Sequence, residues 1–504
     1  MKLTSTAIFV LLANVTAHAA ITLEDRPPSS NVMETRQDFA KPDEESPAKK
    51  AFDTFNAGNH AQAVDIAKPL AEKGNPDAMY LLGFAHETGN GAELSPEKAM
   101  QYYRQGMDKG HVDSLYRLVF LLMATGDKAK LEEARTILEI QSLKDPMTAG
   151  RILGEAFLLG RFTSEPDSDK AVTWWEKASK NGDVPSMFFL ARLYDGQFGF
   201  PEKKSPEKAM TYFEKAANAG DPSAMTAVAS RLLFGKTPEK DKERAFALLG
   251  KAISLKDFTA HLVLGTYQEQ VKKDLKAALA EYERGKDAGN IDCMIMAADC
   301  YLSGKGTEKD VPRGLKILET AAEAGSAQAH LMLAVNMMNA DKPDPHAAYT
   351  HLLAAASAGL ANAQNDLGLF YLTGQLGSPD APAAAAWFDR AARANFAAAQ
   401  NNLAVLYEQG NGVAQDYDSA GNLYTLASKQ GHAEATLALA RLHATGTGTK
   451  VDMIRAWALA KVAENLAAPN AGSYLEALEK ELSAKQLDEA KAELKRMTAD
   501  KKED

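Results

Sequence analysis

Two copies of Ser-Pro-Glu-Lys-Ala-Met stand in this chain, at Ser95–Met100 and Ser205–Met210. A serine three residues ahead of a lysine is the spacing of an acylating nucleophile in β-lactam-reactive enzymes. Two copies argue against that chemistry, because an active site is assembled once. The same residues also read as a helix start. Serine caps orphan backbone amides, proline suits the first helical position, glutamate complements the helix dipole and lysine faces solvent. The segment "TPEKDKERAF" from Thr237 repeats the pattern. We read Ser95 and Ser205 as N-caps.

The remaining reactive residue types form no catalytic, cofactor-binding or metal-binding constellation, and the chain is expected not to be an enzyme. Its ten histidines are scattered. His346 and His351 are five apart, which does not align them on one helix face as i, i+4 ligands would be. His86 and His443 fall where tyrosines recur in other parts of the chain, so a structural role is expected. Trp175, beside Trp174, falls in an aromatic core slot. The acidic groups at Asp167–Asp169 and Asp341–Pro345 read as turn formers. Cys293 and Cys300 lie seven apart in a helical stretch, roughly 10.5 Å of rise, whereas a disulfide needs Cα atoms within about 7 Å. They are expected as two small buried thiols, an intermolecular or redox role being the alternative.

The 504 residues are 45% apolar, 25% charged and 8% aromatic, an ordinary globular composition. The net charge of −10 is spread along the chain, with no polybasic footprint for nucleic acid or an anionic membrane. Met1-Lys2, the apolar "AIFVLLANV" and the small residues "AHAA" read as a signal peptide over 1–20, cleaved after Ala19 or Ala20. No other segment reaches about 18 uninterrupted apolar residues, and no cysteine follows the cleavage site to carry a lipid. A soluble, exported protein is expected, periplasmic or secreted, with no membrane insertion after signal removal. Residues 21–46, rich in proline, serine and charge, read as a flexible leader.

Behind the repeated hexapeptide lies a longer period. Gly74, Gly110, Asp145, Gly182, Gly220, Lys256, Gly289, Gly325, Gly359, Asn395 and Gly431 recur at intervals of 33 to 38 residues. We call these positions anchors. Four residues past each sits a small side chain, and eight past it an aliphatic one in nearly every unit. Tyrosines recur at +12 and glycines at +15 and +17, which reads as a first helix and its stop. Eleven residues ahead of the next anchor is usually alanine, and seven ahead is a large side chain such as Tyr103, Trp175 or Phe388. That reads as a second helix.

The segments "NAQNDLGLFYLTG" and "AAAWFDRAARANFAAAQNNLAVLYEQGNGVAQDYDSAGNLYTLASKQGHAEA" resemble the SEL-one-like repeat (SLR) family, tetratricopeptide-type α/α hairpins with a longer interhelical loop. "LSAKQLDEAKAELKRM" resembles the helix that closes such arrays, and the opening "AFDTFNAGNHAQAVDIAKPLAEKG" a plain tetratricopeptide unit. Asp127–Arg161 has lost the glycine anchor and the interhelical glycine pair, and is expected as a joint where the stack divides or bends. The resemblance implies an all-α fold: a right-handed α/α superhelical solenoid of about twelve hairpins over 47–470, a capping helix over 471–498 and a tail at 499–504.

The resemblance also implies a function. In the family the groove lined by first helices binds proteins, and similar exported bacterial members are scaffolds in envelope assemblies, polysaccharide export, signalling inhibition or host contact. A non-catalytic, exported protein-binding scaffold follows. The alternative is a cell-wall or β-lactam-directed hydrolase, as proposed for cysteine-rich members, whose cysteine pair in each repeat is absent here. Tetratricopeptide geometry points offset +6 into the groove, which nominates Tyr80, Tyr116, Phe188, Asn365 and Asn401 as protein-binding residues. Aromatics would act as low-entropy anchors, and asparagines would bond an extended backbone through both donor and acceptor. The competing reading is that they pack or bond within the repeats.

Overall fold

The computed structural model describes residues 46–235 and 238–499. The expected signal peptide, and nearly all of the expected leader and tail, lie outside the described residues. Twenty-six α-helices and no strand occur among the described residues. They pair in sequence as α1 (Lys49–Asn56) with α2 (His60–Glu72), α3 (Pro76–Thr88) with α4 (Pro96–Asp108), and α5 (Val112–Ala124) with α6 (Lys128–Gln141). The next pairs are α7 (Thr148–Leu158) with α8 (Ser168–Lys180), α9 (Val184–Asp195) with α10 (Pro206–Asn218), and α11 (Pro222–Phe234) with α12 (Glu239–Ser254). Then come α13 (Thr259–Tyr267) with α14 (Leu275–Asp287), α15 (Ile291–Ser303) with α16 (Val311–Glu323), and α17 (Ala327–Asn339) with α18 (Pro345–Ser357). The last repeats are α19 (Ala361–Leu372) with α20 (Ala381–Arg393), α21 (Ala397–Gln409) with α22 (Tyr417–Lys429), and α23 (Ala433–Thr445) with α24 (Met453–Asn465). Two helices, α25 (Ala471–Glu481) and α26 (Ala484–Ala499), close the array.

The period has a conformational cause. At the anchors the chain leaves one hairpin and enters the next through a left-handed residue, with φ between +84° and +102° at Gly74, Gly110, Gly182, Gly220, Gly289, Gly325, Gly359 and Gly431. Glycine adopts that conformation without Cβ strain, and asparagine tolerates it. Asn395 (φ 59°) and Lys256 (φ 67°) take the same turn without glycine, and Asp145 does not take it. Just past the anchor the first helix is capped by a side chain, as Asn75 accepts from the Ala78 amide at 2.8 Å and Asp221 from the Ala224 amide at 2.6 Å.

The two hexapeptides do what their residue types require. Ser95 and Ser205 share nearly the same backbone conformation and accept from the Lys98 and Lys208 amides. Their own amides donate to the carbonyls of His86 and Tyr194, both at +12. The equivalent bond joins Asp310 to Tyr301, Asp380 to Tyr371, Asp416 to Tyr407 and Asp452 to His443. The +12 residue therefore anchors the interhelical loop.

Packing follows the same register. Every residue at +4, from Ala78 and Ser114 to Ala399 and Ala435, has 0% exposure. A small side chain is obligatory there because the first helix is covered on both flanks. At +9, Gly368 lies against the Phe388 ring, so a Cβ would meet that ring at 2.5 Å, and Gly154 stands to Trp175 in the same way. The large residue of the second helix thus fills the space that a missing side chain leaves. Between repeats, Gly412 touches the Ala381 backbone, where a Cβ would come within 2.3 Å.

The described chain forms two compact units, one ending at Val263 and one beginning at Leu264. The sequence pointed to Asp127–Arg161 as the joint. The boundary between the two units lies within α13; beside it Lys256 replaces an anchor glycine and a π-helical turn (Gln268–Lys272) ends at left-handed Lys273. The C-terminal segment, expected as one capping helix, breaks at Ser483. There a capping box forms, Ser483 accepting from the Gln486 amide while the Gln486 side chain accepts from the Ser483 amide. Cys293 and Cys300 are both buried and unpaired, and burial pushes the Cys300 thiol up to about 12.

Two predictions follow from the register. Leu403, 3% exposed on α21, touches only its own and adjacent hairpins, so Leu403→Ala costs about 2–5 kcal/mol locally. Hydrogen exchange should accelerate between Ala361 and Ala468 with Ala78–Leu118 unchanged; uniform acceleration would contradict a nearest-neighbour stack. The second concerns a missing amide. Gln430 donates to Gln400 Oε1 at 2.8 Å, whereas the equivalent Gln364 Oε1 is buried without a hydrogen-bond partner. Ala394 stands where a second Gln430 would be, at the exposed end of α20. Ala394→Gln should stabilise the 361–432 pair of repeats by about 0.5–1.5 kcal/mol, read as higher exchange protection there. Unchanged protection would refute the equivalence.

Candidate partner-binding face

The +6 positions do not form one exposed row. Tyr80 and Tyr116 are 1% and 0% exposed, which corrects their assignment as surface anchors. Each reaches instead to the start of the following repeat. The Tyr116 hydroxyl donates to Asp145 Oδ2 at 2.6 Å, and the Tyr80 ring lies 5.1 Å from that of His111. Arg151 and Thr226, also at +6, bond Asp183 (2.8 Å) and Asp257 (2.7 Å) in the same way. Asp183 in turn caps Ser186, so one carboxylate holds its own helix and the preceding repeat together. At these four positions offset +6 is an inter-repeat staple, while Leu262, Ile295, Leu331 and Leu437 at the same offset are buried apolar side chains. Phe188 is half-buried, edge-on to Phe213 at 5.7 Å and beneath the Arg192 guanidinium.

Asn365 and Asn401 are different. On α19 and α21 they belong to a chain of side-chain bonds that all run one way. Asn401 Nδ2 donates to Asn402 Oδ1 (3.5 Å), Asn402 Nδ2 to Asn365 Oδ1 (2.9 Å), and Asn365 Nδ2 to Asp366 Oδ1 (3.3 Å). Asn365 is 6% exposed, while Asp366, Asn401 and Asn402 are half-buried. A primary amide offers two N–H donors and two lone pairs, so each amide keeps hydrogen-bonding capacity beyond the ladder. Burial pushes the Asp366 carboxyl up to about 6, partly offset by the Asn365 bond. Near neutral pH the ladder ends on a carboxylate, and a weakly acidic medium neutralises it. Asp366 and Asn402 stand at +7, one position beyond the offset that tetratricopeptide geometry nominates, and are not apparent from that offset alone.

A second missed cluster has the connectivity of a nucleophilic triad. Ser114 Oγ lies 3.0 Å from His111 Nδ1, and His111 Nε2 lies 3.3 Å from Asp77 Oδ1. The bond from His111, with a smaller one from Ser46, holds the Asp77 carboxyl below its usual range despite partial burial. Its surroundings are those of a helix cap. Nδ1 already accepts the Ser114 amide at 3.0 Å, Ser114 has 0% exposure, and a Cβ on Gly106 would lie 2.4 Å from its hydroxyl. No acyl group reaches that oxygen without parting α4 from α5. Among the described residues no group of three or more His, Cys, Asp or Glu side chains is placed to hold a metal ion, and no helix is long and apolar enough to cross a membrane.

Glu155 on α7 is, among the described residues, the acid with a buried oxygen left unbonded. It is 5% exposed, and its Oε1 is buried with no hydrogen-bond partner. Burial raises its pKa to about 8 against the opposing pull of Arg151, whose guanidinium is engaged by Asp183. The native state thus keeps a proton that the unfolded chain releases above the ordinary carboxylate range. Stability should fall as pH rises from near 4 to about 8. Glu155→Gln should leave thermal stability unchanged near pH 4 and raise it, by on the order of 1–3 kcal/mol, near pH 8. An equal effect at both pH values would show that the native carboxyl is not neutral.

A family model described as Sel1 repeat matches residues 76–111, 151–183, 184–221, 222–257, 291–326, 327–360, 361–396, 397–432 and 433–466. The unmatched stretches between them, 112–150 and 258–290, nevertheless fold as hairpins. Among similar solved structures is c5321, a protective antigen of uropathogenic Escherichia coli with an SLR fold. It is 22% identical over 86% of this chain and 94% of that one, with a TM-score of 0.35. A Sel1 repeat protein from Oxalobacter formigenes is 24% identical over 64% of this chain and 93% of that one, with a TM-score of 0.43. The immunity protein Pa5087 from Pseudomonas aeruginosa is 18% identical over 42% of this chain and 81% of that one, with a TM-score of 0.29. With matched repeats over more than half its length and hairpins throughout its described residues, this chain belongs to the Sel1 repeat family, whose members are in general protein-interaction scaffolds rather than catalysts.

Proposed function

We propose that this protein is an exported, non-catalytic scaffold that holds a partner protein on the α19–α21 face, within a bacterial envelope assembly or a regulatory complex. Export rests on the sequence of the first 20 residues: a basic start, a short apolar core and a small-residue cleavage site. N-terminal sequencing of protein recovered from the producing cell should begin at Ala20 or Ile21. An intact Met1 on cytosolic protein would overturn that part.

The observation that carries the binding reading is the amide ladder from Asn401 to Asp366. Elsewhere in the repeats the comparable polar groups are consumed by staples, as in the Arg151–Asp183 and Thr226–Asp257 pairs. Here three amides with spare donors and acceptors stand on adjacent first helices beside a carboxylate. An extended backbone alternates N–H and C=O groups at the pitch such side chains can meet. The neighbouring carboxylate favours a lysine, an arginine or an unpaired N–H on the partner.

The test is capture from the native envelope with the mature protein as bait, identified by mass spectrometry. Binding of the captured protein is then measured with wild type and with Asn401→Ala/Asp366→Asn. A weakening of about tenfold or more is expected from losing one hydrogen-bonding amide and one negative charge. Undiminished affinity would place the partner on another surface and remove the reading of this face.

A further inference from the structure

His330 on α17 and His351 on α18 lie outside that face, both half-buried. Their Nδ1 atoms are 2.9 Å apart and their ring centroids 5.1 Å apart. The difference is close to two ring radii, so the two nitrogens meet head-on. That is the geometry of one Nδ1–H donating into the lone pair of the other. Two ligands converging on a metal ion would meet at an angle.

The bond carries a proton count. With both rings neutral, one imidazole holds its proton on Nδ1 and the other on Nε2. A first extra proton goes to an outer nitrogen and leaves the bond intact. A second puts N–H on both Nδ1 atoms, so no acceptor remains and two cations face each other. Contact and double protonation are incompatible.

The surroundings do little to relieve this. From α16, Glu319 favours the charged form of His351, but it is exposed and screened. From α19 and α20 the hairpin meets Leu360, Tyr371 and Trp387, and the Asp366 carboxyl of α19 is engaged by Asn365. His346 on α18 is exposed, and Asp341, Lys342 and Asp344 sit in the loop, about 10 Å or more along α18 from His351. Desolvation disfavours both cations, and His330 further disfavours that of His351.

We propose that the His330–His351 contact is an acid-sensitive latch, holding α17 against α18 near neutral pH and releasing them when the pair takes up its second proton. The native pair binds fewer protons than the unfolded chain below the ordinary histidine range, so its stabilisation is lost as pH falls through that range. The latched repeat, 327–360, packs through α18 on α19, which carries Asn365.

The test is hydrogen exchange on the full chain at about pH 7.5 and about pH 5, normalised for intrinsic rates. Protection of 327–357 should drop about tenfold more than that of 397–429, which serves as the internal reference. His330→Asn/His351→Gln, which cannot titrate, should lose this extra drop. The single variant His351→Gln should lose it too, since a glutamine oxygen still accepts from protonated His330. Imidazole nitrogen NMR should show two separated steps, one well below the ordinary histidine range. Equal drops in both segments, a persisting drop in the variants, or joint titration of both rings in a single ordinary step would each overturn the latch.

Discussion

No hairpin of this protein can bury its own first helix. The alanine, serine and cysteine side chains at +4 have no exposed surface, yet each helix has only one partner within its repeat. The second flank is covered mainly by the second helix of the preceding repeat, as Ser114 lies against Gly106, so folding of one hairpin requires a neighbour in a fixed register. The left-handed anchor sets that register. It reverses the chain in the least length, and the cap that follows it starts the next first helix at a constant phase. A change of anchor therefore acts on the junction more than on the hairpin. Asp145 and Lys256 illustrate this: one lies within and the other beside a stretch that the family model leaves unmatched, and the hairpins persist on both sides.

Much of this was legible because it is local. Period, helix pairing and the capping role of Ser95 and Ser205 depend on residue type at fixed spacing, and so does the inability of Cys293 and Cys300 to pair. The failures came where a side chain answers to a residue about 30 positions away. Tyr80 and Tyr116 look like free aromatics until His111 and Asp145 are placed beside them. The partners of Tyr80, Tyr116, Arg151 and Thr226 stand one unit later, at the acid or histidine that starts the next first helix, a pairing visible only when units are read two at a time.

The staples also explain the spare polar capacity of Asn365 on α19. At four junctions, Tyr80–His111, Tyr116–Asp145, Arg151–Asp183 and Thr226–Asp257, the +6 residue is drawn to the acid or histidine that starts the next first helix. Before α21 the cap position is Phe396, which accepts nothing through its side chain. Asn365 therefore has no cap to bond and turns to Asn402, its neighbour one repeat on. The same substitution that removes a staple creates an amide with capacity to spare. A binding face can arise in such an array without adding a structural element, by exchanging cap chemistry in one or two units.

That exchange sets a limit on how much surface one array can offer. Each staple given up removes a hydrogen bond, worth about 0.5–1.5 kcal/mol, from a junction that only two repeats support. Losing staples at successive junctions would weaken the very contacts that bury the +4 residues. Here the loss at α19–α21 is offset by bonds of another kind. Asn402 bonds Asn365 across the two repeats, and Gln430 bonds Gln400 within its own repeat and the preceding anchor Asn395. The Gln364 amide, one unit earlier, shows the arrangement only half built, with its oxygen buried and unbonded. Junction stability and exposed polar capacity thus draw on the same few positions, and a partner that fills the Asn401–Asp366 ladder would tighten the junction it binds.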